Sequence, residues 1–409
     1  MDRLTVSRRD FLGSFAVASA VVSSAAVASA AAGIKTSDLP DLTIKEVKVF
    51  VVKDYSHVVS VVAATGIEGN YTIRNFESDL TITEWLETAR GLLVGKNALD
   101  RPSFTSRWAP KERILHGTAP NTSSIDICLW DLVGKAVGLP VYQILGACRH
   151  CLQAYASSKH LNTVEEFVDS VLKAKAEGFK AYKIHPPYVP PRSSSYIKGK
   201  KDRRGCDYRL DMKICRAIRE AVGEDFMLIL DRVGVYTRQE ALTVGRLLDE
   251  LKFIGYEDPI PSSDIDGLVE LARQLDFQLH IGEYVNDMYD FAEYIRRQAL
   301  GVVRFSLPNI GGITEGMKLA SLAECFGMEC APHNQGDTME QASHFHCELA
   351  MPNSFLFEMP FPQGFLEPPY MKDRIRITTD GYVEAPSKPG LGYEIDRDAL
   401  DNMTVRVAR

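Results

Sequence analysis

The sequence predicts an α/β fold in which a TIM-like barrel of repeated β/α units follows a smaller α+β domain. Short apolar runs in the barrel part each end in a charged or hydroxyl residue. Those terminal residues are Lys183, Asp231, Glu257, Glu283, Ser306, His333 and Glu358. From Asp231 onward the intervals are 26, 26, 23, 27 and 25 residues, about the length of a strand, a helix and their two loops. A functional residue at the end of each strand is how such a barrel builds an active site.

Eight apolar segments are predicted to be the barrel strands. They are residues 152–158, 181–185, 227–231, 253–257, 279–283, 302–306, 329–333 and 354–358. Helical segments such as residues 164–178 separate them, and no eighth helix is evident after Glu358. The interval from Lys183 to Asp231 is 48 residues, and a Pro-, Ser-, Lys- and Arg-rich insertion at residues 186–205 accounts for the excess. We expect this insertion to be a loop at the catalytic end of the second strand.

Residues 31–150 are predicted to form the α+β domain, residues 151–360 the barrel, and residues 361–409 a segment that packs back on the first domain. β-Branched clusters between residues 42 and 64 predict two strands. Helical periodicity covers residues 83–94 and 123–138, with Ser123 and Asp126 as a plausible start of the second helix. The polar and aromatic stretch at residues 66–78 predicts a loop.

The first 30 residues are predicted to be a twin-arginine export signal. Arg8 and Arg9 precede the pair Phe11 and Leu12, and an Ala-, Ser- and Val-rich stretch then runs without a charge to Gly33. An amphipathic or membrane-anchoring helix is the alternative, although Ala and Ser are only weakly hydrophobic. We therefore expect a periplasmic mature chain that begins near Ala31 and has no membrane partner.

Charge and cysteine content exclude some classes of function. The net charge of −7 argues against a nucleic-acid partner. The chain has eight cysteines, and Cys148 and Cys151 form the one closely spaced pair. A lone CxxC lacks the second half of a zinc site, so we expect mostly buried thiols with at most one local disulfide.

Asp231, Glu257 and Glu283 end three consecutive predicted strands, so their carboxylates are expected to converge at the barrel mouth. Three adjacent carboxylates repel one another unless a cation lies between them. Oxygen ligands without cysteine or histidine favour Mg²⁺. The alternative is that each carboxylate pairs with a neighbouring Arg or Lys, for which Arg232 and the lysine of the second strand are available.

Candidate proton carriers flank the predicted metal site. Lys183 and His185 alternate on the second strand, so both point into the barrel. His333 comes from the seventh strand on the other side, and Glu358 on the eighth strand could donate a hydrogen bond to a developing oxyanion. Around a metal, this set favours removal of a proton next to a carboxylate through an enediolate.

With these motifs the chain resembles the enolase superfamily, in its mandelate racemase branch. The matching features are Lys183-x-His185, Asp231, Glu257-Asp258-Pro259, Gly282-Glu283, Gly311-Gly312-Ile313-Thr314-Glu315, His333, Glu358 and the helix at residues 125–146. The resemblance implies a capping domain over a (β/α)7β barrel, one Mg²⁺ per subunit, a small carboxylate substrate and a homo-oligomer. It also implies the commonest activity of the branch, the dehydration of a sugar acid to a 2-keto-3-deoxy acid.

Two positions depart from the pattern of the family. His185 stands where a second lysine is common, and Ser306 stands where an aspartate usually supports the histidine of the seventh strand. Without that carboxylate His333 is expected to be a weaker base but a competent acid, which favours dehydration over racemisation. Cycloisomerases and dipeptide epimerases of this superfamily carry a lysine on the sixth strand, and residues 304–309 contain none.

The substrate contacts are expected from the first domain and the insertion. Asn70, Tyr71, Arg74 and Ser306 are candidate substrate-binding residues. The basic residues of the insertion could steer an anionic substrate, or could form a solvated loop without a specific role; they are Arg192, Lys198, Lys200, Lys201, Arg203 and Arg204. Two alternative functions stay open: a racemase or epimerase of a hydroxy acid, and a catalytically silent periplasmic protein that binds a metal or solute.

Overall fold

A computed structural model describes residues 40–73, 79–101, 104, 120–187 and 206–409. Residues Asp41–Arg409 form one compact unit, which holds all elements named below. Arg74, the predicted export signal and residues 188–205 of the insertion lie outside the described residues. No helix within the described ranges is long and apolar enough to cross a membrane.

The first domain is built on an antiparallel sheet in the order β13-β1-β2-β3. Its strands are β1 (Ile44–Val52), β2 (His57–Ala63), β3 (Glu68–Ile73) and β13 (Thr404–Ala408). In the described part of this domain, the α-helices are α1 (Asp79–Leu93), α2 (Pro120–Val137) and α3 (Val141–Leu145). The strand β13 comes from the C-terminal segment, where Tyr370 Oη also donates to Ser56 O at 2.7 Å.

The strand β3 lies where the sequence predicts a loop, so that prediction is wrong for residues 68–73. The polar side chains conceal the strand, because every residue from Gly69 to Ile73 is buried between β2 and α2. Gly69 permits this close packing. A Cβ atom at this position would lie 1.9 Å from the carbonyl oxygen of Cys128 in α2.

The barrel is a curled parallel sheet in the order β10-β9-β8-β7-β6-β5-β4-β11, and β12 adds antiparallel to β4. Its strands are β4 (Cys151–Ser157), β5 (Ala181–Ile184), β6 (Met227–Asp231), β7 (Gly255–Glu257), β8 (Gln278–Ile281), β9 (Val302–Val303), β10 (Glu329–Cys330), β11 (Leu356–Pro360) and β12 (Tyr382–Glu384). Between β10 and β11, the amide of Asn334 donates to Glu358 O at 2.9 Å. This is the predicted (β/α)7β order.

All but the last of the remaining helices surround the barrel. They are α4 (Val164–Ala176), α5 (Tyr208–Val222), α6 (Arg238–Glu250), α7 (Ile265–Gln274), α8 (Met288–Arg297), α9 (Leu307–Ile310), α10 (Ile313–Cys325), α11 (Thr338–Ala350) and α12 (Arg397–Met403), the last of these beside β1 of the first domain. Capping boxes begin two of them, with Thr163 and Glu166 at α4 and Thr237 and Glu240 at α6. Sequence signals of this kind are local, so helix starts could be predicted well.

Side chains along the barrel strands alternate between the helix layer and the interior. On β5, Tyr182 points outward and donates to Ser170 Oγ in α4 at 2.8 Å, whereas Lys183 points inward. A small apolar cluster of Tyr155, Ala181 and Ile229 lies within the barrel. Lys183 on β5 and Asp231 on β6 each follow that cluster by two residues, so the charged residues lie at the C-terminal ends of the strands.

The first domain is fixed over the C-terminal face of the barrel by hydrogen bonds from α2. Asp126 accepts from the backbone N–H of Thr314 at 2.9 Å and from its hydroxyl at 2.5 Å. Ser123 Oγ donates to Pro308 O at 2.7 Å. The helix begins at Pro120, three residues earlier than predicted, so Ser123 and Asp126 lie inside it and bind the barrel instead of capping the helix.

Candidate active site and metal centre

Three buried carboxylates converge at the C-terminal ends of neighbouring strands. Asp231 and Glu257 are direct partners in the pairing of β6 with β7, and Glu283 follows β8. One oxygen from each carboxylate lies within 4.8 Å of the others. This is the convergence that the 26-residue spacing predicts.

The three residues fit a divalent cation. Burial, followed by the charges of Asp231 and Glu257, raises the pKa of Glu283 well above its usual value. Its buried Oε2 lies 3.2 Å from His333 Nε2 without a well-directed hydrogen bond. A hard cation would satisfy that oxygen and remove the repulsion, because carboxylate oxygens are the ligands that Mg²⁺ prefers.

Lys183 lies beneath the three carboxylates and is fully buried. Its Nζ is 2.7 Å from Glu358 Oε1, 3.0 Å from Glu257 Oε2 and 3.5 Å from Asp231 Oδ2. Burial and the Arg304 charge oppose the ammonium, but the carboxylates outweigh them and hold the pKa of Lys183 well above its usual value. In this structure Lys183 therefore supplies fixed positive charge to the cluster.

His185 lies on one side of the cluster, next to Asp231. Its Nε2 is 3.0 Å from Asp231 Oδ2, and its backbone N–H donates to Ser158 Oγ at 3.0 Å. The ring of His160 packs edge-on against it with 5.5 Å between centroids. This contact was not predicted, although His160 follows β4 much as His185 follows β5.

His333 lies on the other side, next to Glu283. Its backbone N–H donates to Phe305 O at 2.8 Å, which fixes the loop after β10 to the loop after β9. Burial disfavours the imidazolium and lowers the pKa of His333 to about 3. The two histidines thus contact different carboxylates of the cluster, His185 at Asp231 and His333 at Glu283.

Glu358 on β11 is held by several donors and is buried. It accepts from Ser157 Oγ at 2.7 Å and from the Asn334 N–H at 2.9 Å, and it pairs with Arg304 and Lys183. Burial alone would raise its pKa, but the charges of Arg304 and Lys183 hold that pKa well below the usual value. An ionised carboxylate accepts hydrogen bonds and does not donate them.

Arg304 is the main residue of the site that sequence analysis missed. Its guanidinium contacts Glu257 and Glu358 and donates to Tyr155 Oη at 3.1 Å. A signal was available in the predicted strand at residues 302–306, where Arg304 precedes Ser306 by two residues and would share its side of that strand. The alternative in which neighbouring cations pair with the carboxylates holds in part. Lys183 of the second strand contacts Asp231 and Glu257, whereas Arg232 pairs with Asp211 at 3.1 Å.

A cavity of about 240 Å³ opens beside Glu283 and His333. It is lined by Tyr71, Thr72 and Ile73 of β3, and by Glu283, Tyr284, Ser306, Pro308, Asn309, His333, Gln335 and Glu340 of the barrel. Tyr71 and Ser306 therefore both line this cavity beside the carboxylate cluster. Ser306 immediately precedes α9, and its side chain makes no capping hydrogen bond there.

Asn70 lies apart from this cavity. Its amide oxygen accepts from Ser60 Oγ at 2.5 Å and from Arg397 at 3.1 Å, and it lines a separate cavity with Lys135 and Lys388. The pleat of β3 explains the difference, because Asn70 and Tyr71 point to opposite faces of the strand.

Comparison with known protein families matches most of the chain. A family profile described as enolase C-terminal domain-like matches residues 166–399, and the profile of the mandelate racemase/muconate lactonizing enzyme N-terminal domain matches residues 46–146. The chain belongs to the mandelate racemase/muconate lactonizing enzyme family of the enolase superfamily.

Relatives of this enolase-superfamily chain include sugar-acid dehydratases. It is 30% identical over 281 residues to the arabinonate dehydratase of Saccharolobus solfataricus, covering 68% of this chain and 70% of the relative. It is 28% identical over 296 residues to the D-galactarolactone cycloisomerase of Agrobacterium fabrum, covering 68% and 72%. The magnesium complex of D-glucarate dehydratase from Agrobacterium tumefaciens superposes with a TM-score of 0.79 and 28% identity, covering 90% of this chain and all of that structure.

The cysteines of this family member are unpaired. All eight lie in the described part of the chain and are free, with Cys148 and Cys151 exposed. The disulfide that the sequence left open is not formed in this structure.

Proposed function

We propose that this enzyme dehydrates a sugar acid to a 2-keto-3-deoxy acid. The observation that carries the proposal is the placement of His185 and His333 at opposite members of one carboxylate cluster. Dehydration needs one group to remove the α-proton and another to protonate the departing hydroxyl. The named dehydratases among the relatives support the same reaction class.

In this proposal Asp231, Glu257 and Glu283 hold one Mg²⁺. When bound, the cation supplies positive charge that stabilises the enediolate form of the substrate. His185 accepts the α-proton at Nε2, on the side of Asp231. His333 lies at the wall of the 240 Å³ cavity and, entering the reaction as the imidazolium, delivers its proton to the leaving hydroxyl. The negative charge of the bound substrate has to offset the burial that disfavours this imidazolium.

The parts of Lys183 and Glu358 follow from their contacts. The sequence predicts that Glu358 donates a hydrogen bond to an oxyanion, but its carboxylate is held as an acceptor. Its four partners are Ser157, Asn334, Arg304 and Lys183. We assign to Glu358 the positioning of Lys183, whose ammonium lies 2.7 Å away. Lys183 in turn stabilises negative charge beside His185. Tyr71 and Ser306 line the substrate cavity and are proposed to contact the hydroxyl groups.

The test is a panel of mono- and dicarboxylic sugar acids in D₂O with the chain from Ala31 and Mg²⁺. Keto acid from at least one substrate, lost on chelation of the metal, is the expected result. Deuterium at the α-carbon with inversion and without keto acid would instead establish a racemase or epimerase, which also uses groups on two sides. A chain that binds Mg²⁺ but gives neither signal across the panel contradicts the dehydratase and favours the silent binding protein.

We further propose that the protein is exported by the twin-arginine route and works in the periplasm as a homo-oligomer. The Arg8-Arg9 pair and the uncharged stretch after it support export. The family resemblance supports the oligomer.

A further inference from the structure

Arg304 is a fully buried cation placed between a metal ligand and Glu358. Its Nε faces Glu257 Oε1, and another nitrogen of the same guanidinium faces Glu358 Oε2. A third nitrogen donates to Tyr155 Oη at 3.1 Å and to Ala331 O at 2.9 Å. These contacts hold the planar guanidinium in one orientation inside the barrel.

Lys183 makes the same pair of contacts from the other direction. Its Nζ lies 3.0 Å from Glu257 and 2.7 Å from Glu358. Two cations and two carboxylates thus alternate in what we call the buried quartet, which consists of Lys183, Arg304, Glu257 and Glu358. Each cation contacts both carboxylates, and the quartet has a net charge of zero.

The rest of the cluster then carries the charge that a metal ion would meet. Asp231 and Glu283 lie outside the quartet and face the two histidines at 3.0 and 3.2 Å. The cation that Arg304 supplies therefore reduces by one the negative charge that a metal ion would meet.

We propose that Arg304 is a positioning residue that offsets one negative charge of the metal centre and thereby limits its affinity for the divalent cation. The inference rests on the metal site of the proposed function. Without Arg304, Glu257 and Glu358 would share one ammonium, and the site would present one more negative charge to the metal. Attraction between buried charges is strong at these distances, so one added negative charge should outweigh a modest loss of ligand positioning.

The experiment is isothermal titration of the metal-stripped protein with MgCl₂. Arg304→Gln is expected to bind Mg²⁺ at least about tenfold tighter than the wild type, whereas Arg304→Lys, which keeps the charge, should stay within about threefold. Arg232→Gln is the matched control, because Arg232 is equally buried and adjoins Asp231 but pairs with Asp211 outside the cluster. Its Mg²⁺ affinity should remain within about threefold of the wild type.

A second pair of variants keeps the test sharp if Arg304→Gln alone fails to fold, since removal of one partner of a buried ion pair is destabilising. Glu358→Gln should weaken Mg²⁺ binding, and Arg304→Gln in that background should restore about the wild-type affinity because the site then carries the same net charge as in the wild type. Equal or weaker Mg²⁺ binding on loss of the arginine in both backgrounds would overturn the inference. If the wild type itself binds no Mg²⁺, both the proposed function and the inference about Arg304 fail. If the wild type binds Mg²⁺ but the loss of Arg304 does not tighten binding, only the inference about Arg304 is refuted.

Discussion

At the scale of single residues, the site is a set of charges that the barrel strands bring into contact. The positions of Asp231, Glu257 and Glu283 could be predicted, because each ends an apolar run and the runs recur at a constant interval. Arg304 could not be predicted with the same ease, since it lies inside an apolar run and not at its end. Its partners Glu257 and Glu358 are 47 and 54 residues away in the chain.

Loss of one cluster carboxylate should weaken metal binding. Glu283→Gln removes a ligand charge and is expected to lower Mg²⁺ affinity at least about tenfold in a calorimetric titration. Glu348→Gln is the control, because Glu348 is an equally buried glutamate whose partner is Ser354 at 2.8 Å, away from the cluster. If both variants bind Mg²⁺ like the wild type, Glu283 is not a ligand.

At the scale of secondary-structure elements, the loops and helix starts that follow the strands place the side chains of the candidate site. Several predicted strands end earlier in the structure, for example at Val303 instead of Ser306 and at Cys330 instead of His333. The apolar runs continue past the last paired residue of each strand because the residues that follow line the barrel mouth. Element type could be read from periodicity, whereas the last paired residue depends on neighbouring strands.

The packing of β3 on α2 should be sensitive to the size of residue 69. Gly69→Ala is expected to destabilise the protein by about 2 kcal/mol or more, because the added methyl overlaps the Cys128 carbonyl. Gly91→Ala is the control in α1, where a Cβ meets nothing within 4 Å, and it should stabilise by about 0.5–1 kcal/mol. Denaturant unfolding of both variants measures the difference; similar values for the two would contradict the described packing.

The helix α11 should make stability fall in mild acid. Its buried His344 donates through Nδ1 to Glu340 O at 2.9 Å and accepts at Nε2 from the Leu307 N–H at 3.1 Å. Burial lowers the pKa of His344 from 6.5 to about 4, so the folded state favours the neutral ring. Its contribution is therefore complete above pH 6.5 and is lost as the pH falls towards 4, by on the order of 3 kcal/mol.

The pH dependence of the unfolding free energy in His344→Asn checks this assignment. The decrease between pH 6.5 and 4 should be smaller than in the wild type by about the contribution of one histidine. His150→Asn, at an exposed position, should leave the wild-type slope unchanged. An unchanged slope in His344→Asn would show that this ring does not govern the acid sensitivity.

At the scale of the whole molecule, the C-terminal segment packs against the first domain. The strand β13 pairs with β1, and Leu391 N–H donates to Asp131 Oδ1 of α2 at 2.8 Å. The repeat length was enough to predict the barrel and its order. The four-stranded sheet of the first domain was not predicted in full, because β3 is polar in sequence and β13 lies more than 300 residues from its partner.

Export should depend on the arginine pair near the start of the chain. Replacement of both Arg8 and Arg9 by lysine is expected to retain the full-length protein in the cytoplasm, as judged by cell fractionation and immunoblotting. Arg3→Lys lies outside the pair and should be exported like the wild type. Periplasmic protein from the double-lysine variant would rule out the twin-arginine route.

The opposed histidines are tested most directly by His333→Asn in D₂O, with Mg²⁺ and a substrate that the wild type dehydrates. We expect deuterium at the α-carbon without keto acid, because His185 still exchanges the proton while the acid for the hydroxyl is missing. The loss of keto-acid formation should be about a hundredfold or more. Keto acid at the wild-type rate would contradict the proposed mechanism, and loss of both product and exchange would contradict the assigned roles by making His333 the base.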